Sequence, residues 1–179
     1  MKINAQDLFQ SETRVLPILP YYKITIKSLD WDGLGTNTGK FIYPGKLLNQ
    51  MVKTCHQADG IGLAAPQVGV FRKIFIIRAF VPTEDPNLYT TFFNPTFRAV
   101  ENAGKSEDEE GCLSVPGGLY KVTRWNVIKA HWYDYDEASK IPQEHTALLD
   151  GLTARVYQHE LCHLKGTNIV EIGKPSTTS

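Results

Sequence analysis

Two histidines and a glutamate form the densest group of chemically active residues in this sequence. They lie in residues 150–166, DGLTARVYQHELCHLKG, where His159 and His163 are four residues apart. Residues four apart in a helix lie one turn from each other on the same face, so both imidazoles can bind one metal ion. Glu160 is not needed as a ligand and is free to act as a general base on a water molecule at that metal. The pattern predicts a hydrolytic metal site.

The helix that must position these residues has recognisable ends. Asp150 is suited to cap its start by accepting a hydrogen bond from a free backbone N–H, and Gly166 suits the left-handed position just past its end. Leu152 and Val156 precede His159 on the same stripe, which places the metal against the core. The alternative is an ordinary buried helix whose histidines are satisfied by backbone carbonyls.

Two further stretches offer partners for this site. Cys112, which follows Gly111, is a candidate third ligand, and two His with one Cys leave a fourth coordination position for water, as catalytic sites do. Residues 60–67, GIGLAAPQ, have little side-chain bulk, which suits either a buried turn or the close approach of a ligand to the backbone. Gln67 is the polar exception there, able to donate an amide N–H into a site.

Composition places the chain in a broad class. Its 179 residues are enough for one domain with a real hydrophobic core, and its 19 basic and 19 acidic residues give no global attraction to nucleic acid or to a membrane surface. No apolar run is long enough to span a bilayer, and the N-terminus lacks a signal-peptide core. Three cysteines, an odd number, suit a reducing compartment without a disulfide framework. We therefore expect a cytoplasmic protein.

The pattern of apolar residues predicts an α+β fold, mostly antiparallel sheet wrapped around a central C-terminal helix. The predicted elements are a strand within 16–29, a helix at 44–58, strands at 73–80 and 91–100 with a local break at Asn94-Pro95, an acidic loop at 104–118, strands at 126–134 and 144–149, the helix at 150–166, a last short strand at 168–172, and a frayed tail at 173–179.

Three segments in order, GIGLAAPQ at 60–67, EGCLS at 110–114 and QHELCHLKG at 158–166, resemble the peptide deformylases. These metal-dependent hydrolases remove the formyl group from the N-terminal methionine of newly made proteins. The resemblance covers about residues 44–172 within a single catalytic domain, and residues 1–43 match poorly. It implies a divalent metal, natively Fe²⁺ with Zn²⁺, Ni²⁺ or Co²⁺ as substitutes. The matched motifs imply that Cys112, His159 and His163 bind this metal and that Glu160 is the acid and base for the metal-bound water. They also imply that the Gln67 side chain and the Leu113 N–H donate to the oxyanion.

The resemblance also implies where the substrate lies and which residues support the ligands. Formylmethionyl nascent peptides would add a strand along the exposed edge near Gly60, Ile61, Gly62 and Gly111, with Leu152 and Val156 walling the methionine pocket. Glu110, Arg124 and Cys162 would lie just outside the ligands. The family usually has Asp where this chain has Cys162, and that Asp is expected to pair with an arginine such as Arg124.

Two other functions fit parts of the same pattern. One is a peptidase or other amide hydrolase that uses the HExxH site, against which the Cys112 ligand counts. The other is a non-catalytic relative that binds nascent peptides, against which the complete set of active residues counts. No strongly basic helix marks a ribosome-binding surface, so the ribosome stays an open partner. We expect a monomer.

Overall fold

The computed structural model describes residues 2–9, 13–25, 27–31, 44–78, 85, 87–135 and 141–176, and within them the strands form two antiparallel sheets. The first sheet has the order β2-β3-β4-β7-β8, with β1 also paired to β4, and the second has the order β5-β6-β9. The strands are β1 (Lys2–Asn4), β2 (Gly62–Ala64), β3 (Ile74–Arg78), β4 (Leu88–Ala99), β5 (Lys105–Cys112), β6 (Val115–Trp125), β7 (Val127–Tyr135), β8 (Pro142–Asp150) and β9 (Lys174–Pro175).

Four α-helices accompany these sheets in the described ranges. They are α1 (Gln6–Phe9), α2 (Gly45–Gln57), α3 (Gly151–Leu164) and α4 (Ile169–Ile172). Short 3₁₀ turns lie at Tyr21–Lys23, Ala65–Val68 and Glu101–Ala103. None of the described helices combines the length and the apolar character that a membrane crossing requires.

The first sheet is covered by a helix on each face, and β3 shows why its sequence is apolar throughout. Ile74 and Ile76 belong to the core cluster that contains α2, whereas Phe75 and Ile77 belong to the cluster that contains α3. Successive side chains of a strand point to opposite faces, so a strand covered on both sides needs no polar positions. The predicted α+β architecture, with a C-terminal helix against antiparallel sheet, is confirmed.

Tyr157 sets the rotation of α3. Its ring is fully buried and meets the rings of Phe75 and Phe92 edge-on, with centroid distances of 5.1 Å and 5.5 Å. Two residues further along a helix the side chain points about 200° away. Burying Tyr157 against the first sheet therefore directs His159 toward the second sheet, which carries Cys112.

The predicted ends of α3 are confirmed in part. Gly166 has a φ of 75°, the left-handed conformation expected just beyond a helix. Asp150 occupies the N-cap position, but its side chain makes no capping hydrogen bond. The local break predicted at Asn94-Pro95 is a register shift between Phe93 and Thr96, with Asn94 at a φ of 48°, inside a strand that continues to Ala99.

The acidic stretch predicted as a loop is instead the hairpin formed by β5 and β6, paired from Lys105–Trp125 to Gly111–Leu119. β5 begins with five exposed residues in succession, so its sequence lacks the alternation of apolar and polar residues that predicts a strand. The pairing with β6, rather than the burial of its own side chains, makes this segment a strand.

The prediction is also wrong at both ends of the chain. Residues 168–172 are not a strand: α4 forms there because the Asn168 side chain accepts a hydrogen bond from Val170 N and caps it. The tail predicted to fray from 173 pairs at Lys174–Pro175 with β6. The segment 16–29 forms no strand of either sheet in the described residues; it holds the 3₁₀ turn Tyr21–Lys23 and an isolated bridge at Leu29.

Candidate metal and catalytic site

The three predicted ligands converge on one point between α3 and β5. The Cys112 Sγ lies 3.4 Å from His163 Nε2, and that nitrogen lies 3.3 Å from His159 Nε2. All three donor atoms lie within 4.8 Å of one another. Ligand atoms that surround one tetrahedral ion at 2.0–2.3 Å lie about 3.3–3.7 Å apart. The two pairs of atoms that include His163 Nε2 have this spacing, which suits a single divalent ion.

Burial sets the protonation states of these ligands before a metal binds. It lowers the pKa of His163 well below its usual value, which keeps the imidazole neutral and able to coordinate. Burial also raises the pKa of the Cys112 thiol to about 12. A bound cation would reverse the effect on Cys112 because it would stabilise the thiolate, so metal binding would be coupled to loss of the thiol proton.

Glu110 orients His159. The Nδ1 of His159 lies 3.0 Å from Glu110 Oε2, an arrangement that leaves Nε2 free to face the other ligands. Arg124 donates to both carboxylate oxygens, at 3.0 Å and 2.8 Å. Burial alone raises the pKa of Glu110, but the hydrogen bonds and charges of Arg124 and His159 outweigh it and lower the pKa to about 2. Glu110 is therefore a buried, ionised hydrogen-bond acceptor.

Cys162 points away from the metal ligands, as predicted. Its Sγ lies 3.1 Å from Arg124 Nη1, the guanidinium that also holds Glu110. The thiol therefore occupies the position where the resemblance leads us to expect a carboxylate paired with this arginine. Replacing a charged partner with a thiol leaves Glu110 as the carboxylate that binds Arg124.

Glu160 is on α3 and its carboxylate faces Gly62 of β2. It is 3% exposed, and its Oε2 has no hydrogen-bond partner among the described residues. Burial raises the pKa of Glu160 to about 8, with Arg124 opposing and Glu110 adding to the shift. A Cβ at Gly62 would lie 2.9 Å from Glu160 Cδ and closer still to Oε1, so a larger residue there would force the Glu160 carboxylate to move. A buried orphan carboxylate oxygen beside three converging ligands suits a proton-transfer group.

The Gln67 side chain is held in one orientation. Its Oε1 accepts a hydrogen bond from Ala64 N at 2.8 Å, and its Nε2 donates to Ser114 Oγ at 3.1 Å. The same nitrogen lies 3.8 Å from Cys112 Sγ. One N–H of the amide is thus bound by Ser114, and the other is directed toward the ligands.

The predicted substrate residues surround a single cavity of about 570 Å³, within the usual range for ligand pockets. β2 and β5 border it, and each is at the edge of its sheet in the described residues. Ile61 and Leu152 are exposed at its mouth, 46% and 62% accessible. The residues predicted for substrate binding that line it are Gly60, Ile61, Gly62, Gly111, Leu152 and Val156, joined by Gln67, Leu113, His159 and Glu160.

Two supporting residues were missed by the sequence analysis. Arg155 donates to Glu110 Oε1 at 2.8 Å and to the carbonyl oxygen of Val122 at 3.0 Å. It lies one turn before His159 on α3, a spacing that could have indicated it. Ser114, which orients Gln67, is part of the EGCLS segment, but no spacing rule links it to a residue 47 positions earlier.

A buried HExxH helix, a cysteine beside its two histidines and an adjoining cleft are features of a metal-dependent hydrolase. The polypeptide deformylase family model matches residues 42–178, and the chain belongs to the peptide deformylase family. It is 36% identical over 125 residues to peptide deformylase 1 of Clostridium perfringens, a match covering 70% of this chain and 78% of that protein. The predicted family and its hydrolase class are confirmed.

Solved structures agree with this assignment. A peptide deformylase from Legionella pneumophila superposes with a TM-score of 0.72 at 27% identity, covering 89% of this chain and 86% of that one. A peptide deformylase from Synechococcus elongatus in complex with actinonin gives a TM-score of 0.70 at 27% identity, covering 92% and 85%.

Proposed function

We propose that this chain hydrolyses the N-formyl group of formylmethionyl peptides in the cavity between β2 and β5, with the metal held by Cys112, His159 and His163. The observation that carries the proposal is the convergence of three unlike groups on that cavity. They are the three ligand atoms, the unpaired Oε2 of Glu160, and the directed N–H of Gln67. Each group meets one requirement of amide hydrolysis.

The residues present fit a divalent ion, both in the spacing of their donor atoms and in their chemistry. Such an ion lowers the pKa of a coordinated water to about 7 and polarises a carbonyl. A set of two imidazoles and one thiolate suits soft or borderline ions. We propose Fe²⁺ as the native metal, with Zn²⁺, Ni²⁺ or Co²⁺ able to replace it.

Glu160 moves the proton in this proposal. Its Oε2 accepts a proton from the attacking water and then donates it to the amide nitrogen as formate leaves. Burial raises its pKa to about 8 in the metal-free protein, and a nearby cation would favour the ionised form that a base requires. The absence of any hydrogen-bond partner for Oε2 in the described residues leaves this oxygen free for that exchange.

Gln67 and the backbone bind the substrate. The Gln67 N–H and the Leu113 N–H donate to the oxygen that becomes negative in the transition state, and one such donor is typically worth about 3 kcal/mol. The edge of β2, with glycines at 60 and 62, offers main-chain groups to an extended peptide. Main-chain pairing tolerates many sequences after methionine, as a substrate class of nascent proteins requires.

Two features support a cytoplasmic monomer. Every proposed active residue comes from one chain, so a partner subunit is not needed to complete the site. Cys55, Cys112 and Cys162 are all free thiols, which suits a reducing compartment.

The test is formate release from formyl-Met-Ala-Ser by anaerobically purified protein, with metal content measured on the same sample. Acetyl-Met-Ala-Ser is the control substrate, and Glu160→Gln is the control variant, expected to keep the metal and lose turnover. Cleavage of internal peptide bonds instead would favour a peptidase. If the metal-loaded protein binds the peptide tightly but releases no formate, the result would favour a non-catalytic relative.

A further inference from the structure

The segment before α2 makes hydrogen bonds to the elements that carry the site. Leu16 N donates to Thr54 Oγ1 of α2 at 2.8 Å. Leu19 N then donates to the carbonyl oxygen of Gln67 at 2.7 Å, and Tyr21 N to that of Ser114 at 3.1 Å. We call residues 16–24 the N-terminal strap. It lies before the residues that the family model matches, which begin at 42.

The strap is anchored by packing as well as by hydrogen bonds. Ile24 is fully buried, and Tyr21 packs against the small core cluster of Val115, Val122 and Ile169, which Cys112 also contacts. Neither Leu19 nor Tyr21 lines the cavity, so the strap contacts the residues of the site from outside the cavity.

Gln67 and Ser114 belong to different parts of the fold. Gln67 follows β2 of the first sheet, whereas Ser114 lies in the turn between β5 and β6 of the second. The two sheets share no strand pairing in the described ranges, and one side-chain hydrogen bond joins Gln67 to Ser114. In the strap, Leu19 N donates to the carbonyl oxygen of Gln67 and Tyr21 N donates to that of Ser114. The strap thus bridges the sheets at the residues that direct the catalytic amide.

We propose that the N-terminal strap is a positioning element for deformylation. The N–H groups of Leu19 and Tyr21 fix the separation of Gln67 and Ser114, so that Ser114 Oγ binds one N–H of the Gln67 amide and leaves the other aimed at the oxyanion. This inference rests on the proposed function of Gln67. It gives residues 16–24 a role in turnover, separate from any role in folding.

A single substitution isolates the Tyr21 hydrogen bond. Tyr21→Pro removes the N–H, and Tyr21→Ala is the matched control, which loses the ring but keeps the N–H. Proline suits this position because Tyr21 is the first residue of a 3₁₀ turn and Pro20, with a ψ of 150°, already has the conformation required before proline. In the described residues, the backbone hydrogen bond that Tyr21 N donates goes to Ser114 O.

We expect Tyr21→Pro to have a kcat about tenfold below that of Tyr21→Ala, part of the effect of losing an oxyanion donor outright. KM and bound metal should match between the two variants. In zinc-loaded protein the side-chain amide resonances of Gln67, assigned by their loss in Gln67→Leu, should shift in Tyr21→Pro only. Equal kcat values and an unshifted amide would overturn the proposal.

Gln67→Leu separates failure of the strap from failure of the proposed function. If Gln67→Leu turns over at the wild-type rate, the oxyanion role of Gln67 is wrong. If it is slow while Tyr21→Pro matches Tyr21→Ala, only the strap proposal is wrong. In the Gln67→Leu background Tyr21→Pro should cause no further loss of kcat. If Tyr21→Pro does not fold, Leu19→Pro against Leu19→Ala makes the same comparison at the Gln67 carbonyl.

Discussion

Glu110→Gln keeps the shape of the side chain, yet we expect it to be strongly destabilising. Glu110 is 7% exposed and receives four hydrogen-bond contacts. Arg124 Nε and Arg155 Nη1 face Oε1, while Arg124 Nη2 and His159 Nδ1 face Oε2. Whichever oxygen becomes an amide nitrogen then faces two donors, and two guanidinium groups lose their shared anion.

The expected size follows from those contacts. Hydrogen bonds to charged groups contribute about 1.5–3 kcal/mol each, so losing two costs about 3–6 kcal/mol. Breaking a buried ion pair costs about 3–5 kcal/mol by itself. We expect the free energy of unfolding to fall by about 4 kcal/mol, which lowers Tm by about 8–16 °C in a chain of this size. His159 also loses its orienting partner, which should weaken metal binding about 10- to 100-fold.

The assay is urea unfolding of metal-free protein, with metal affinity measured by competition with a chelator. Glu107→Gln is the matched control, since Glu107 is exposed on the same strand and should change the free energy of unfolding by no more than about 0.5 kcal/mol. A Glu110→Gln variant within about 1 kcal/mol of wild type, with unchanged metal affinity, would show that the two arginines do not depend on this carboxylate.

Three further substitutions test the site. Gly62→Ala places a Cβ 2.9 Å from Glu160 Cδ and should reduce formate release more than about tenfold with the metal retained; wild-type turnover would mean that Glu160 need not hold this position. Cys112→Ser should lower the metal bound per chain after dialysis, and full metal content with full activity would remove Cys112 from the ligands. Cys162→Asp puts a carboxylate beside Arg124 and should preserve or raise both Tm and turnover; an inactive, well-folded variant would reveal a role for the thiol.

The site residues could be predicted because helical spacing carries spatial information. His159 and His163 are four apart, so their shared face followed from the geometry of a helix, and the structure places their Nε2 atoms 3.3 Å apart. Cys112 came from its residue type and from the resemblance, since no spacing rule connects a hairpin to a distant helix. The resemblance also placed Glu110 near the ligands. Its four contacts could not be predicted, because they depend on how α3 packs against the second sheet.

The errors share a physical cause. β5 is a strand because of its partner β6, and α4 is a helix because of the cap at Asn168, while neither segment shows apolar periodicity of its own. The strap has two prolines, at 17 and 20, which limit regular pairing, so its N–H groups bond singly to separate elements. Structure that depends on contacts distant in sequence leaves little local pattern to read.

The open edges beside the cavity have a consequence for association between copies. An unpaired edge that can receive a peptide can also receive the same strand of a second molecule, which is a route to aggregation. β5 carries Glu107, Asp108 and Glu109 in succession, all exposed, so joining two copies along this strand would bring like charges together. β2 is three residues long and offers few hydrogen bonds to a second copy. We therefore expect the acidic strand to discourage self-association, which would leave the cavity accessible to the peptides of the proposed function.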